Sequence, residues 1–235
     1  MRAMNPGAVR AICFDLDNTL WDVDPVLERA ERILADWLRA RYPRVHERLP
    51  PDEMRRVRAA LEAERPDQLH DFTFLRRETL ARLVHAAGYD RGVGAAAFDV
   101  WHAARNELAP YDEVVPALTK LRARFRLATL SNGNADLARI GLAHHFEVSL
   151  SAGVLGCAKP DVRAYTQVAH ALTLAPAEIL FVGDEPHADV VGPSAAGMQT
   201  VWVNRARAEW PAALPAAHAT VADLDELVTL LTPET

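Results

Sequence analysis

Hydrophobic positions along this chain follow two different spacings. Between residues 9 and 14 they run almost unbroken, interrupted only by Arg10, which is the composition of a strand buried on both faces. From Pro25 the spacing becomes helical: Leu27, Ala30, Leu34, Trp37, Leu38 and Arg41 share one face, and Pro43 stops the run. The same period predicts helices over 52–64, 73–87, where Gly88 ends the run, and 93–108, before Pro110. No strand pattern falls between residues 22 and 109. From Tyr111 the two spacings alternate. Helices over 112–124, 136–142, 162–172, 188–196 and 224–231 interleave with strands over 125–130, 146–150, 179–182 and 200–203. That alternation predicts an α/β fold, a doubly wound parallel sheet with right-handed crossovers, built from residues 1–21 and 110–235. Residues 22–109 are expected to form a small all-α cap domain whose apolar stripes pack on one another.

Polar residues collect where the predicted strands end. The first strand runs into Asp15-Leu16-Asp17-Asn18-Thr19, which sets two carboxylates at its carboxyl edge, the edge where open α/β sheets bind ligands. Two like charges there suit a metal ion, a nucleophile or an acid/base pair, although Asp, Asn and Thr also serve as plain turn and capping residues. Three later segments add to the picture. Strand 125–130 ends in Ser131-Asn132-Gly133-Asn134, Lys159-Pro160 stands between a loop and a helix, and strand 179–182 ends in Gly183-Asp184-Glu185, with Asp189 following. Carboxylates, a hydroxyl, an ammonium and further carboxylates are the groups that magnesium-assisted phosphoryl transfer requires.

With these four segments in this order, the chain resembles the haloacid dehalogenase-like hydrolase superfamily, over nearly the whole of the predicted sheet domain. The residues between Asp17 and Ser131 look like that family's helical cap inserted after the first motif. The resemblance implies a phosphate monoesterase. In it Asp15 is the nucleophile that forms an aspartyl-phosphate. Asp17 first protonates the leaving oxygen and then takes a proton from water. Ser131, the amide of Asn132 and Lys159 hold the phosphate. Mg2+ is the implied cofactor, with Asp15, Asp17 through its backbone carbonyl, and Asp184 as ligands; Asp189 is a further candidate, either beside the metal or as a helix N-terminal acid. Asn18 stands where many members of the family have glycine.

A narrower resemblance involves the cap. Glu64-Arg65-Pro66, His70-Asp71-Phe72-Thr73 and Arg76 look like a bacterial subgroup that dephosphorylates flavin mononucleotide and the phosphorylated ribitylaminouracil of riboflavin synthesis. It implies that His70 and Arg76 help to bind such a substrate, since charged groups are hard to place in a helical core. Phe74 and Trp101 are expected to pack the bundle instead. Other readings remain beside it: a nucleotide or sugar-phosphate phosphatase, a 2-haloacid dehalogenase, a phosphomutase, or a non-catalytic protein that binds phosphorylated metabolites. A dehalogenase needs neither a metal nor an acid at Asp17.

Composition narrows the setting. At 235 residues the chain has room for one doubly wound domain and a smaller one. A formal charge of -6 offers no basic footprint for nucleic acid, so the expected partner is a small phosphorylated metabolite. No apolar stretch is long enough to span a bilayer, and residues 1–8 lack the apolar middle of a secretion signal. Cys13 and Cys157, the two cysteines, read as thiols and not as a disulfide. A cytoplasmic protein acting as a monomer or homodimer is expected.

Overall fold

The structure, a computed structural model, describes residues 4–50 and 52–232; residues 1–3 and 233–235, the ends of the expected core segments, lie outside the described residues. Six short strands form one parallel sheet: β1 (Ala11–Phe14), β2 (Arg126–Ser131), β3 (Val148–Ser151), β4 (Ile179–Gly183), β5 (Gln199–Val203) and β6 (Ala219–Val221). Their order is β3-β2-β1-β4-β5-β6. Every residue of β1, β4 and β5 is buried, as a parallel sheet covered on both faces demands, which is why these strands read as apolar runs. The chain steps from β1 outward to β2 and β3, then returns to the other side of β1 for β4. Winding therefore reverses between β1 and β4, and a crevice opens beyond their carboxyl ends. In register, Phe14 of β1 lies opposite Thr129 of β2 and Val182 of β4. Asp15 and Asp184 thus fall just past the ends of β1 and β4, and Ser131 closes the adjacent β2.

The chain separates into two compact units. The first holds the described residues up to Asp22, Ala109–Gly133 and the described residues from Leu137 on; the second holds Val23–Leu108 with Asn134–Asp136. The second is helical: α1 (Asp24–Arg41), α2 (Arg44–Arg48), α3 (Glu53–Glu64), α4 (Phe72–Ala86) and α5 (Val93–Arg105). On α1 the buried positions are Val26, Ala30, Leu34 and Leu38, one row of four-residue steps, and that row faces α5. Asp71 caps α4, its side chain accepting the Phe74 N–H at 2.9 Å. Trp101 is buried in the core of this unit, as its spacing predicts.

In the first unit α6 (Val114–Arg122), α7 (Leu137–Ile140), α8 (Ala152–Leu155), α9 (Val162–Leu172), α10 (Gly192–Ala195) and α11 (Leu224–Leu231) accompany the sheet. Ala11 and Cys13 of β1 enter one core with Tyr165, Val168 and Leu172 of α9, while the pleat turns Ile12 and Phe14 the other way. Among the elements that depart from the predicted pattern, four have a plain physical reason. Pro43 ends α1 but also opens α2, since a fixed φ of -57° suits a helix start. The helix expected over 188–196 is a wide π-turn, Pro186–Val191, followed by α10; Pro193 has no N–H to continue an ordinary helix through that point. The strand expected over 146–150 begins two residues later, after a 3-10 turn at Ala143–His145. β6 is an edge strand of three residues, too short to leave a period. No helix among the described residues is long and apolar enough to cross a membrane.

Candidate active site at the sheet switch point

Asp15 is the first residue past β1. Its N–H donates to the Val182 carbonyl at 2.9 Å, so the ladder to β4 continues one step and carries the side chain to the mouth of the crevice. Beyond it the chain turns sharply. Asn18 has φ 60°, the left-handed conformation that glycine enters freely and asparagine tolerates better than most residues. The departure from glycine at this position thus keeps the backbone geometry. The Asn18 N–H closes the turn on the Trp21 carbonyl at 2.8 Å, and the Trp21 indole N–H donates to Asp17 Oδ1 at 2.8 Å. Thr19 is wholly buried and donates its hydroxyl to Asp184 Oδ1 at 3.0 Å.

Lys159 joins the remaining pieces. Its ammonium donates to Asp15 Oδ1 at 2.5 Å and to Asp189 Oδ1 at 2.7 Å, and all three groups are buried. The second oxygen of Asp189 accepts the Glu185 N–H at 2.9 Å, so this carboxylate is held on both sides. The fit around it is close. A Cβ on Gly183 would come within 2.4 Å of the Asp189 carboxyl carbon, so only glycine serves at the end of β4. The Lys159 backbone is fixed as firmly as its side chain. Asn132 Oδ1 accepts the Lys159 N–H at 2.8 Å, and Asn132 Nδ2 donates to the Lys159 carbonyl at 2.9 Å. Ser131, the last residue of β2, accepts the Gly133 N–H on its hydroxyl oxygen at 2.9 Å.

The charges are out of balance. Burial pushes the Asp15 carboxyl up to about 8, with Asp189 and Asp184 adding to the rise against Lys159. Burial and then Asp189 raise Asp184 to about 6, against the Thr19 hydrogen bond. Burial alone would lower the Lys159 ammonium, but Asp15 and Asp189 outweigh it and hold it above its usual value. Oxygens of Asp15, Asp184 and Asp189 lie within 4.8 Å of one another. Three carboxyls thus share one ammonium in a largely buried, all-oxygen site; the raised values of Asp15 and Asp184 register how poorly it tolerates their ionised forms unaided, and a hard dication would supply the missing charge to donors it prefers. Because both oxygens of Asp189 are already engaged, Asp15 and Asp184 are the side chains placed to hold such an ion.

The structure therefore brings Asp15, Lys159, Asp184 and Asp189 together, links Asn132 to them through the Lys159 backbone, sets Ser131 next to Asn132 at the end of β2, and turns Asp17 toward Trp21. His70 and Arg76 belong to the second unit. His70 is half-buried in the turn before α4. Arg76 stacks over the Trp101 ring, 4.1 Å from its centroid, and pairs with Glu31, which also accepts the Trp101 indole N–H at 3.1 Å. Its charge is thereby matched inside the helical unit. Several contacts had no counterpart in the sequence reading: the Asn132 clamp, Trp21 on Asp17, and the Trp202 indole N–H on the Asp184 carbonyl at 2.7 Å. An asparagine next to the predicted phosphate-binding serine was the one signal available for the first. The two tryptophans read only as apolar bulk.

Comparison with known proteins places this geometry in context. Residues 9–197 match the family model for haloacid dehalogenase-like hydrolases. The 5-amino-6-(5-phospho-D-ribitylamino)uracil phosphatase YigB of Escherichia coli is 32% identical over 86% of this chain and 87% of its own. The phosphoserine phosphatase of Thermus thermophilus is 42% identical over 50% of this chain and 49% of its own. Among solved structures, a 2-haloacid dehalogenase from Pseudomonas syringae superposes with a TM-score of 0.91 at 32% identity, covering 95% of this chain and 98% of that one.

Proposed function

The chain belongs to the haloacid dehalogenase-like hydrolase family, and from that premise we propose that it is a magnesium-dependent phosphatase of small phosphorylated metabolites, working through an aspartyl-phosphate on Asp15. The observation that carries this reading is the cluster of Asp15, Asp184 and Asp189 beside Lys159, three carboxyls to one ammonium, at the carboxyl edge of the sheet. Asp15 attacks phosphorus in line with the ester oxygen. Asp17, oriented by the Trp21 indole, gives that oxygen a proton and then takes one from the water that cleaves the aspartyl-phosphate. Lys159, its backbone fixed by Asn132, offers positive charge to a phosphoryl oxygen, and Ser131 a hydroxyl. Magnesium, held by Asp15, Asp184 and the Asp17 carbonyl, would neutralise phosphoryl charge as it develops.

For the substrate we propose flavin mononucleotide or the ribitylaminouracil phosphate of riboflavin synthesis. The Escherichia coli relative, a ribitylaminouracil phosphatase, supports the second of these, and His70, a polar and aromatic group in the helical unit, suits either ring. Arg76 is the weaker candidate, since Glu31 and Trp101 already engage it. A second reading, 2-haloacid dehalogenation at Asp15, is favoured by the likeness to the Pseudomonas syringae structure. It gives the carboxyls beyond the reach of one ammonium no counterion and Asp17 no role.

A phosphate-release screen distinguishes the two. Both flavin-pathway compounds, sugar phosphates, nucleoside monophosphates and a 2-haloacid are tested with magnesium and with chelator. Phosphate release that stops in chelator and returns with magnesium is expected. Halide release that persists in chelator overturns the phosphatase reading. Much higher specificity constants for sugar phosphates or nucleotides overturn only the choice of substrate.

A further inference from the structure

Arg205 follows β5 at the same edge of the sheet as Asp184, and it touches both segments by which the chain leaves and rejoins the first unit. One of its guanidinium N–H groups donates to the Thr19 carbonyl at 3.0 Å. The same nitrogen lies 2.6 Å from Glu113 Oε1, a charge contact that adds to the aligned bond to Thr19. The guanidinium carbon stands 3.7 Å from the centre of the Tyr111 ring, a stacked cation–π pair, and the Tyr111 N–H donates to the Leu20 carbonyl at 3.0 Å. The backbone before Arg205 is fixed as well, because the Asn204 N–H donates to the Val221 carbonyl of β6 at 2.8 Å.

The residue that Arg205 grips is the one that orients Asp184. Thr19 spans the two: its carbonyl goes to Arg205 and its hydroxyl to Asp184 Oδ1. Rotating the Thr19 backbone would carry the hydroxyl away from the carboxylate and free Asp184 to swing. We propose that Arg205 is a positioning residue for the carboxylate site, acting through Thr19 to set Asp184, so that it controls affinity for the dication and leaves binding of the phosphate ester unchanged. The inference rests on the magnesium reading given above.

Calorimetric titration of the full chain with magnesium alone tests it, beside steady-state kinetics on p-nitrophenyl phosphate. Groups that orient metal ligands alter affinity by about 10–100-fold when removed, so Arg205→Ala and Thr19→Val are each expected to raise the magnesium dissociation constant by that factor. Because they act along one path, the double variant should bind no more weakly than the poorer single one. At saturating magnesium the KM should stay within about twofold of wild type, since substrate contacts are intact. Arg205→Lys keeps a charge beside Glu113 without the planar fork, so it should recover part of the affinity; it also carries the test if the alanine variant does not fold. Wild-type magnesium affinity in the folded Arg205 variants, losses that multiply in the double variant, or a raised KM without weaker magnesium binding would each overturn the proposal. A wild-type chain that binds no magnesium overturns the phosphatase reading itself, and the inference with it.

Discussion

Lys159 separates two buried carboxylates that would otherwise face each other, and its removal should show in stability as well as in rate. Lys159→Met leaves Asp15 and Asp189 without their ammonium, and breaking a buried pair in this way costs about 3–5 kcal/mol. Urea unfolding should register that loss, and adding Asp189→Asn should restore a large part of it while activity stays absent. A double variant as unstable as the single one would show that the charge imbalance is not the cause. Asp15→Asn should behave in the opposite way. Turnover should fall by on the order of 10⁴-fold, because an amide cannot act as the nucleophile. In chelator the folded chain should unfold no earlier than wild type, since burial disfavours the carboxylate that the amide replaces. Activity within tenfold of wild type would remove Asp15 from its proposed role.

At the scale of elements, position follows from strand ends. β1, β2 and β4 are adjacent and parallel, so whatever follows each of them must meet. Apolar runs that stop at Asp15, Ser131 and Asp184 therefore let their meeting be read from the sequence. The contacts that hold these residues could not be read in the same way. Asn132 to Lys159, Thr19 to Asp184 and Arg205 to Thr19 join residues 27 to 186 positions apart, and no period records such a pair. The wide turn at Pro186–Val191 leaves no mark in the sequence for another reason: helical spacing persists while Pro193 breaks the hydrogen-bond register. In the helical unit, the charge of Arg76 suggested a ligand, and the structure supplies Glu31 for it. The end of β4 gives its own prediction. Gly183→Ala places a methyl against Asp189, and a shift of about 1 Å in the groups it holds would cost about 10²-fold in rate. The mutant sheet should retain its far-UV circular dichroism; full activity would mean that Asp189 can move without consequence.

Over the whole molecule, an ion that binds only the folded chain adds to its stability. At a hundredfold excess over its dissociation constant the gain is about 2.7 kcal/mol. Thermal unfolding of the wild type should shift upward with magnesium and return in chelator, and Asp184→Ala should shift far less. Equal shifts in both would place the ion elsewhere.

The central place of β1 also governs when this protein can come into being. Its four residues bond to strands that begin at Arg126 and Ile179, so β1 is synthesised well before either of the strands it pairs with. During elongation the helices between Val23 and Leu108 leave the ribosome complete while β1 has no neighbour, and closing so long a loop is slow and entropically costly. On dilution from denaturant, helical ellipticity should recover ahead of phosphate release, with the interval reporting assembly of the sheet around its central strand. A nascent chain stalled short of Asp184 should release no phosphate however well its helices had formed, because it would lack a carboxylate proposed to hold the metal.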